Sequence, residues 1–346
     1  MTQLDKDIIE FAKLSQIAYG NLQENIKRSK NGFINTFVVN NLNDKTKEYK
    51  TLTLNKKYKI IDIANNPKTG FQALALMDES GKYIIAFRGT NDKKDIKVDI
   101  QIGKNNINPQ HKDAKEFTQK ILNQITKDKN IPFYEAKKYL TLVGHSLGGI
   151  HTQQIAAVNK IKGFAFNPYG ANRLISMPKN PCFPSIGIST CDMSYALFGK
   201  FAPISKKIDE KWVNENIYTI SYHDNGKING DILSNFFTNA TSKHIGKVIP
   251  IIGKNVDFMQ GHEIENLIKT LDEYAKISDN CNINFMQITQ NRINKVKFNK
   301  EILIKYADKK QTLPIYQNFC INKKQDFNSQ EIISIENLDN DSGYKM

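Results

Sequence analysis

The first 90 residues change from a helical to a strand pattern of apolar positions. Between Asp7 and Tyr19, apolar residues recur every three or four positions, which predicts an amphipathic helix that ends at Gly20. Short apolar or β-prone runs follow, separated by Asn, Asp, Pro and Gly residues that favour turns. The predicted strands are Phe37–Val39, Tyr58–Ala64, Phe71–Met77 and Tyr83–Phe87.

From Pro109 onward, predicted helices and strands alternate. The spacing of Ala114, Phe117 and Ile121 predicts a surface helix after Pro109. The elements predicted after it are the strand Tyr139–Val143, the helix Leu147–Val158, the strands Gly163–Phe166 and Asn216–Tyr222, and the helix Glu263–Tyr274. Strand, helix and strand in close succession indicate a parallel sheet with crossover helices. The predicted fold class is therefore α/β, with a mostly parallel central sheet flanked by helices.

Two stretches break this alternation. Residues Arg173 to Trp212 contain four prolines among aromatic and aliphatic residues, and long connections of this kind are usually lids or binding elements. An irregular subdomain on the sheet explains the same stretch equally well. Beyond Asp279 the chain is mixed and polar. The sequence therefore predicts a domain at residues 1–279 with a lid-like insertion at 173–212, followed by a C-terminal extension of unknown role at 280–346.

Length and composition exclude several classes of protein. A chain of 346 residues with 40% hydrophobic and 24% charged residues can bury a large core, which excludes collagen-like, coiled-coil and wholly disordered proteins. No apolar run reaches the roughly 18 residues that a membrane-spanning helix needs. Residues 1–20 lack a basic start and an uninterrupted apolar core, so no secretory signal is predicted. The expected location is cytoplasmic, or outside the cell after export without a conventional signal peptide, for example as a secreted effector.

The chain carries a large positive charge. Its formal net charge is +14, from 49 basic and 35 acidic residues, and four of the basic residues are arginines. Because bidentate recognition of phosphate or guanine normally uses arginine, no nucleic-acid partner is predicted. A solvated lysine-rich surface is the simplest explanation, and attraction to an anionic membrane surface is the second.

The cysteines do not have the spacing of a metal site. Cys182, Cys191, Cys281 and Cys320 form no C-x-x-C pair, and no histidine stands near them at zinc-finger spacing. Cys182 and Cys191 could form a bridge in an oxidising compartment, but free buried thiols in a reducing one are expected. No zinc site is therefore predicted.

The strongest chemical signal is a G-x-S-x-G match at residues 144–148, with Ser146 at its centre. The match lies between a predicted strand and a predicted helix. A nucleophile on such a sharp turn is held in a strained conformation that lifts its hydroxyl clear of the sheet. The N-terminus of the following helix points at the serine, so its N–H groups can stabilise an oxyanion. Ser146 is therefore the predicted nucleophile.

A serine nucleophile needs a histidine base. The expected chain order is serine, acid, histidine, which leaves three downstream candidates. His262, just before the last predicted helix, is preferred; His244 is a weaker choice, and a surface or turn position explains His223. His145 adjoins the serine but projects differently, and His151 lies on the helix away from the turn.

The carboxylate that orients this base is expected at the end of the predicted strand Asn216–Tyr222. Asp224 and Asp231 fit that position. Turn formation alone explains Asp224, which precedes Asn and Gly. Apolar residues follow Asp231 and can hold its backbone, so Asp231 is preferred and Asp224 stays open.

Two donors are expected for the oxyanion. One is the backbone N–H of Leu147, the residue after the nucleophile. The second should come from the loop after an earlier strand, where Arg88-Gly89-Thr90 follows Tyr83–Phe87. Thr90 can offer both its N–H and its hydroxyl, and losing one such donor typically costs about 3 kcal/mol of transition-state stabilisation.

At these residues the sequence resembles the class 3 (fungal-type) lipases and their bacterial phospholipase-like relatives in the α/β-hydrolase superfamily. The matching segments are Ile84–Thr90, Val143–Gly149, Gly230–Ser234 and His262 before its helix. The resemblance implies the α/β-hydrolase fold. It also implies a triad and an oxyanion hole, which would be Ser146, Asp231 and His262, and Thr90 with Leu147.

The resulting prediction is a serine esterase that hydrolyses the carboxylic ester of a lipid through an acyl-enzyme on Ser146. The basic surface favours a phospholipid over a neutral glyceride, which indicates a phospholipase A or lysophospholipase type. No metal or organic cofactor is expected. Two alternatives stay open: a hydrolase of a small soluble ester or thioester, and a non-catalytic, membrane-binding member of the fold.

Overall fold

The computed structural model is built around a sheet of eight strands, counted within the residues that it describes. Those residues are 1–40, 49–89, 110–168, 170–171, 208–224, 244–253 and 261–293. The strands are β1 (Ile34–Asn40), β2 (Tyr49–Asn66), β3 (Phe71–Asp78), β4 (Tyr83–Phe87), β5 (Leu140–His145), β6 (Lys162–Phe166), β7 (Ile217–Asp224) and β8 (Lys247–Gly253). They follow one another across the sheet in chain order.

The sheet has an antiparallel part and a parallel part. Strands β1 to β4 are joined by antiparallel pairings, whereas β4 to β8 are joined by parallel ones. The parallel strands all end at the same edge of the sheet, which we call the carboxyl edge. Residues that follow β4, β5, β6, β7 and β8 are therefore delivered to one edge, where ligands bind in open α/β sheets.

Helices cover both faces of the sheet. They are α1 (Gln3–Ile17), α2 (Leu22–Ser29), α3 (His111–Lys129), α4 (Phe133–Ala136), α5 (Leu147–Asn159), α6 (Glu210–Asn216) and α7 (Ile264–Cys281). One apolar core lies between the sheet and helices α1 and α7, and a second lies between the opposite face and helices α3 and α5. Alternate residues of β4 supply the two cores, since Ile84 and Ala86 face the first and Ile85 and Phe87 the second. The predicted α/β class with flanking helices is confirmed.

Helix α1 begins four residues before the predicted start at Asp7. The Thr2 side chain accepts a hydrogen bond from the Asp5 N–H at 3.2 Å, and the Asp5 carboxylate accepts one from the Thr2 N–H at 3.1 Å. This reciprocal capping box satisfies two backbone donors that would otherwise lack partners. The apolar periodicity did not reveal this first turn, because Leu4 is the one apolar residue in it.

The prediction of free thiols is wrong for Cys281. This cysteine, the last residue of α7, is disulfide-bonded. Spacing along the chain gave no indication of it, because a disulfide depends on which segments meet in space. The other three cysteines lie outside the described residues.

Two further sequence predictions fall mainly on residues that the structure does not describe. Of the lid-like insertion at residues 173–212, only residues 208–212 are described, and they lead into and begin α6. The chain divides into two compact units, Met1–Leu303 and Ile304–Met346, and all described residues belong to the first. The division at residues 279/280 stays a prediction. No described helix is long and apolar enough to cross a membrane.

Two histidines with lowered pKa values lie where α3 approaches α5. His151 is fully buried, and the rings of Phe71 and Phe87 lie about 6 Å from its own, at 5.9 and 5.8 Å between centroids. Its Nε2 donates to the Gln110 side-chain oxygen at 3.3 Å. Burial lowers the pKa of His151 to about 3 and the pKa of His111 to about 4, with nearby positive charge adding to both shifts. Both imidazoles are therefore neutral in the folded protein at ordinary pH.

We expect acid to destabilise the protein through these histidines. In the unfolded chain a histidine has a pKa near 6.5, so the unfolded state binds more protons as the pH falls below that value. The stabilisation is full above about pH 6.5 and is lost toward pH 3. His151 alone should lower the free energy of unfolding by about 2 kcal/mol between pH 7 and pH 5. Urea unfolding of wild type and of His151→Gln, which keeps a donor but does not titrate, measures this; an equal loss in both proteins would contradict it.

Candidate active site

Ser146 sits on the turn between β5 and α5, at the carboxyl edge of the sheet. Its backbone has φ 57° and ψ −124°, a conformation that non-glycine residues rarely adopt. The Ser146 N–H donates to the Phe166 carbonyl at the end of β6, at 3.0 Å, and this bond holds the turn against the next strand. The strained strand-to-helix turn that the motif predicts is therefore present.

The glycines of the motif allow the close approach that this turn requires. A Cβ at residue 148 would overlap the carbonyl of Phe87, the last residue of β4. A Cβ at residue 144 would overlap the Gly148 carbonyl. Only glycine lets α5 begin this close to β4 and β5, so the spacing of the motif follows from local packing.

His262 is brought to the serine from 116 residues further along the chain. Its Nε2 lies 2.8 Å from the Ser146 Oγ, within hydrogen-bond distance. Both residues are mostly buried, with exposed fractions of 8% and 5%. With Nε2 unprotonated, the serine hydroxyl donates to it, which is the arrangement that a general base needs in order to take the hydroxyl proton. The preferred base of the sequence analysis therefore meets the preferred nucleophile.

The weaker histidine candidate lies elsewhere. His244 comes just before β8 and so lies at the amino edge of the sheet, opposite the carboxyl edge. Its Nδ1 lies 3.4 Å from the Gln153 side-chain nitrogen, two turns along α5 from the nucleophile. His223 is the second-last residue of β7, and its backbone pairs with Ile252 of β8.

Three predicted site residues are described and two are not. Leu147 is the first residue of α5, where backbone N–H groups have no acceptor within the helix. Its N–H is therefore placed beside Ser146, as an oxyanion donor requires. Thr90 and Asp231 lie outside the described residues, so their roles stay predictions. The backbone of Asp224 is described and ends β7 at the carboxyl edge.

The backbone of His262 is held by side chains that the sequence analysis did not select. The Asn167 Nδ2, just after β6, donates to the carbonyls of Gly261 and His262, at 3.1 and 3.3 Å. The His145 Nε2, at the end of β5, lies 2.7 Å from the same His262 carbonyl. The one sequence signal for Asn167 is its place directly after a predicted strand, in an Asn-Pro pair.

Asn167 is itself fixed in an unusual conformation. Its φ is 43°, in the left-handed region that asparagine tolerates better than most residues. Its N–H donates to the Ile220 carbonyl and its Oδ1 accepts from the Tyr222 N–H, both at 2.8 Å. The side chain is fully buried. These bonds tie the segment that carries His262 to β6 and β7.

Tyr19 connects the same histidine to the exit of β4. Its hydroxyl lies 2.9 Å from the His145 Nδ1 and accepts a hydrogen bond from the Gly89 N–H, also at 2.9 Å. A Cβ at residue 89 would overlap this hydroxyl and lie 3.0 Å from the Ser146 Cβ. Glycine at this position therefore lets the strand exit lie directly against the nucleophile.

The fold and the site together place the protein in a class of mixed α/β proteins. In this class a serine on a strained strand-to-helix turn contacts a histidine, an arrangement that ester hydrolases use. Comparison with known families gives the particular group. Residues 10–186, about half of the chain, match the model of the Tle-like phospholipase domain. The chain belongs to this phospholipase-like family of lipid ester hydrolases, which confirms the resemblance found in the sequence.

Comparison with solved structures gives two lipases among its matches. The lipase–propeptide complex of Rhizomucor miehei has 13% sequence identity and a TM-score of 0.37, covering 72% of this chain and 69% of that one. A triacylglycerol lipase from Penicillium expansum has 14% identity and a TM-score of 0.29, covering 57% of this chain and 71% of that one. A search of curated proteins found no match to this sequence.

Proposed function

We propose that this protein is a serine esterase that hydrolyses the carboxylic ester of a phospholipid, as a phospholipase A or lysophospholipase. The observation that carries the proposal is the 2.8 Å contact between Ser146 Oγ and His262 Nε2 on a strained turn. Membership of a phospholipase-like family supports a lipid substrate. The α/β-hydrolase fold with a lid-like insertion is part of the same proposal.

In the proposed reaction, His262 Nε2 takes the hydroxyl proton as Ser146 Oγ attacks the ester carbonyl. The carbonyl oxygen becomes an oxyanion, which accepts hydrogen bonds from the Leu147 N–H and from Thr90. As the intermediate collapses, the ester bond breaks and His262 gives the proton to the departing alcohol oxygen. Water, deprotonated by His262, then attacks the acyl-serine, releases the fatty acid and restores the serine hydroxyl.

The alcohol that leaves in this scheme keeps the phosphate: it is a lysophospholipid for a phospholipase A and a glycerophosphodiester for a lysophospholipase. The net charge of +14 favours binding to an anionic membrane surface, where each lysine near the surface contributes about 1 kcal/mol. A phospholipid in such a surface is therefore a better candidate than a neutral glyceride.

Vesicles of phosphatidylcholine and phosphatidylglycerol test the proposal. As a phospholipase A, the purified full chain should release free fatty acid and lysophospholipid in equal amounts. As a lysophospholipase, it should release fatty acid from lysophosphatidylcholine added to the same vesicles. The products are identified by mass spectrometry, and their release should become faster as the phosphatidylglycerol fraction rises. Phosphatidic acid or a free headgroup would show cleavage at the phosphate and contradict a carboxylic ester hydrolase. Vesicle binding without fatty acid would indicate a non-catalytic protein. Hydrolysis of a soluble nitrophenyl ester, with no gain from vesicles, would indicate a small-ester hydrolase.

A further inference from the structure

Three buried side chains converge on the backbone around the Ser146–His262 pair and take no part in the bond changes of the scheme above. We propose that Tyr19, His145 and Asn167 form a clamp that positions His262 and the exit of β4 relative to the nucleophile. We call these three residues the backbone clamp. This inference rests on the proposed function and adds positioning residues to it.

The hydrogen bonds of the clamp define an arrangement of protons for a neutral His145 ring. A backbone carbonyl can only accept, so the contact at 2.7 Å between His145 Nε2 and the His262 carbonyl requires a proton on Nε2. The neutral ring then has a bare Nδ1, which accepts from the Tyr19 hydroxyl. The Tyr19 oxygen in turn accepts from the Gly89 N–H. Every donor in this series of hydrogen bonds therefore has an acceptor.

The clamp acts on the backbone of His262, and the position of this backbone determines where the ring lies. The ring must stay within hydrogen-bond distance of Ser146 Oγ, and a general base loses its effect when it is misplaced by about 1 Å. Its carbonyl accepts two donors, from His145 and from Asn167, on the ends of two neighbouring strands. Two donors from rigid elements restrict the movement of the backbone more than one does.

The same chain of hydrogen bonds reaches the opposite side of the nucleophile. Gly89 precedes Thr90, the proposed second oxyanion donor, and its N–H is held by Tyr19. Tyr19 follows α1, so a residue near the start of the chain connects the exit of β4 with the end of β5. All three clamp side chains are buried, with exposed fractions of 5%, 6% and 0% for Tyr19, His145 and Asn167.

Tyr19→Phe is the sharpest test, because it removes only the hydroxyl. We expect kcat for a short-chain nitrophenyl ester to fall about 10- to 100-fold. KM should change less than about threefold, because the clamp holds catalytic groups and not the substrate. Tyr58→Phe is the matched control: Tyr58 is also buried, and its hydroxyl donates to Glu10 at 3.1 Å, away from the site. The control should lower the melting temperature and keep kcat.

Nitrogen-15 NMR of histidine-labelled protein gives a readout that does not depend on activity. His145, assigned by the loss of its signals in His145→Gln, should show the Nε2–H tautomer with a hydrogen-bonded Nδ1. Tyr19→Phe should shift the Nδ1 signal, and Tyr58→Phe should leave it in place. An Nδ1–H tautomer in wild type, or an unchanged kcat in Tyr19→Phe, would overturn the clamp.

The failure of the clamp and the failure of the proposed function can be told apart. If wild type neither hydrolyses esters nor reacts with a fluorophosphonate at Ser146, the proposed function is wrong, and the clamp is judged by the NMR signals alone. If wild type reacts and Tyr19→Phe reacts equally fast, the clamp is wrong and the serine chemistry stands.

Discussion

Replacing Ser146 by alanine should lower kcat for a short-chain nitrophenyl ester about a million-fold. The reason is that in the proposed mechanism the acyl-enzyme forms on this hydroxyl, which lies 2.8 Å from the His262 Nε2, and water alone cannot replace a nucleophile held in this way. The variant removes one atom from the side chain, and alanine has to adopt the same strained backbone as serine. The substitution should therefore leave the fold intact. Stopped assays at high enzyme concentration, with circular dichroism as a check on folding, measure the effect.

A second buried serine provides the control for this experiment. Ser278 on α7 is fully buried, and its Oγ has no hydrogen-bond partner among the described residues. Ser278→Ala should therefore keep both activity and stability. If Ser146→Ala retained more than about one part in a thousand of wild-type turnover, after contamination by host esterases is excluded, another group would have to be the nucleophile.

The elements that sequence reasoning found are those with a strong local pattern. Strands β4, β5 and β6 and helix α5 lie within one or two residues of the predicted bounds, because buried parallel strands are continuous apolar runs. Strand β8 was not predicted, since Pro250 and flanking glycines interrupt its apolar residues. It lies at the edge of the sheet and pairs only with β7 among the described strands, and an edge strand tolerates proline.

The residues of the site likewise fall into those with a local sequence pattern and those without one. Ser146 and Leu147 could be selected as candidates from the sequence because the strained turn, the glycines and the helix start are encoded within a few residues. The roles inferred here for Tyr19 and Asn167 depend on contacts across 126 and 95 positions, to His145 and His262. A buried tyrosine at the end of a helix gives no local sign of such a partner. Identifying these residues requires the tertiary structure.

The second large effect on kcat is expected from replacing the triad acid. We expect Asp231→Asn to lower kcat about ten-thousand-fold, because an amide in place of the carboxylate no longer holds the His262 ring in the tautomer that leaves Nε2 free to accept a proton. Asp224→Asn is the matched variant, with the same change of charge and shape, and should keep kcat within about threefold. Both variants are assayed with the nitrophenyl ester across pH 5 to 9.

The comparison between the two aspartates is a strict test, because the position of Asp224 also suits a triad acid. Asp224 ends β7 at the carboxyl edge, the edge to which β5 delivers Ser146, so its backbone is already on the correct side of the sheet. In the proposed α/β-hydrolase fold the triad follows the chain order serine, acid, histidine, and both aspartates satisfy that order. A large loss in Asp224→Asn with an active Asp231→Asn would therefore reassign the acid to the strand end itself. Large losses in both would mean that the Asp224 side chain is needed for the segment after β7 to present Asp231.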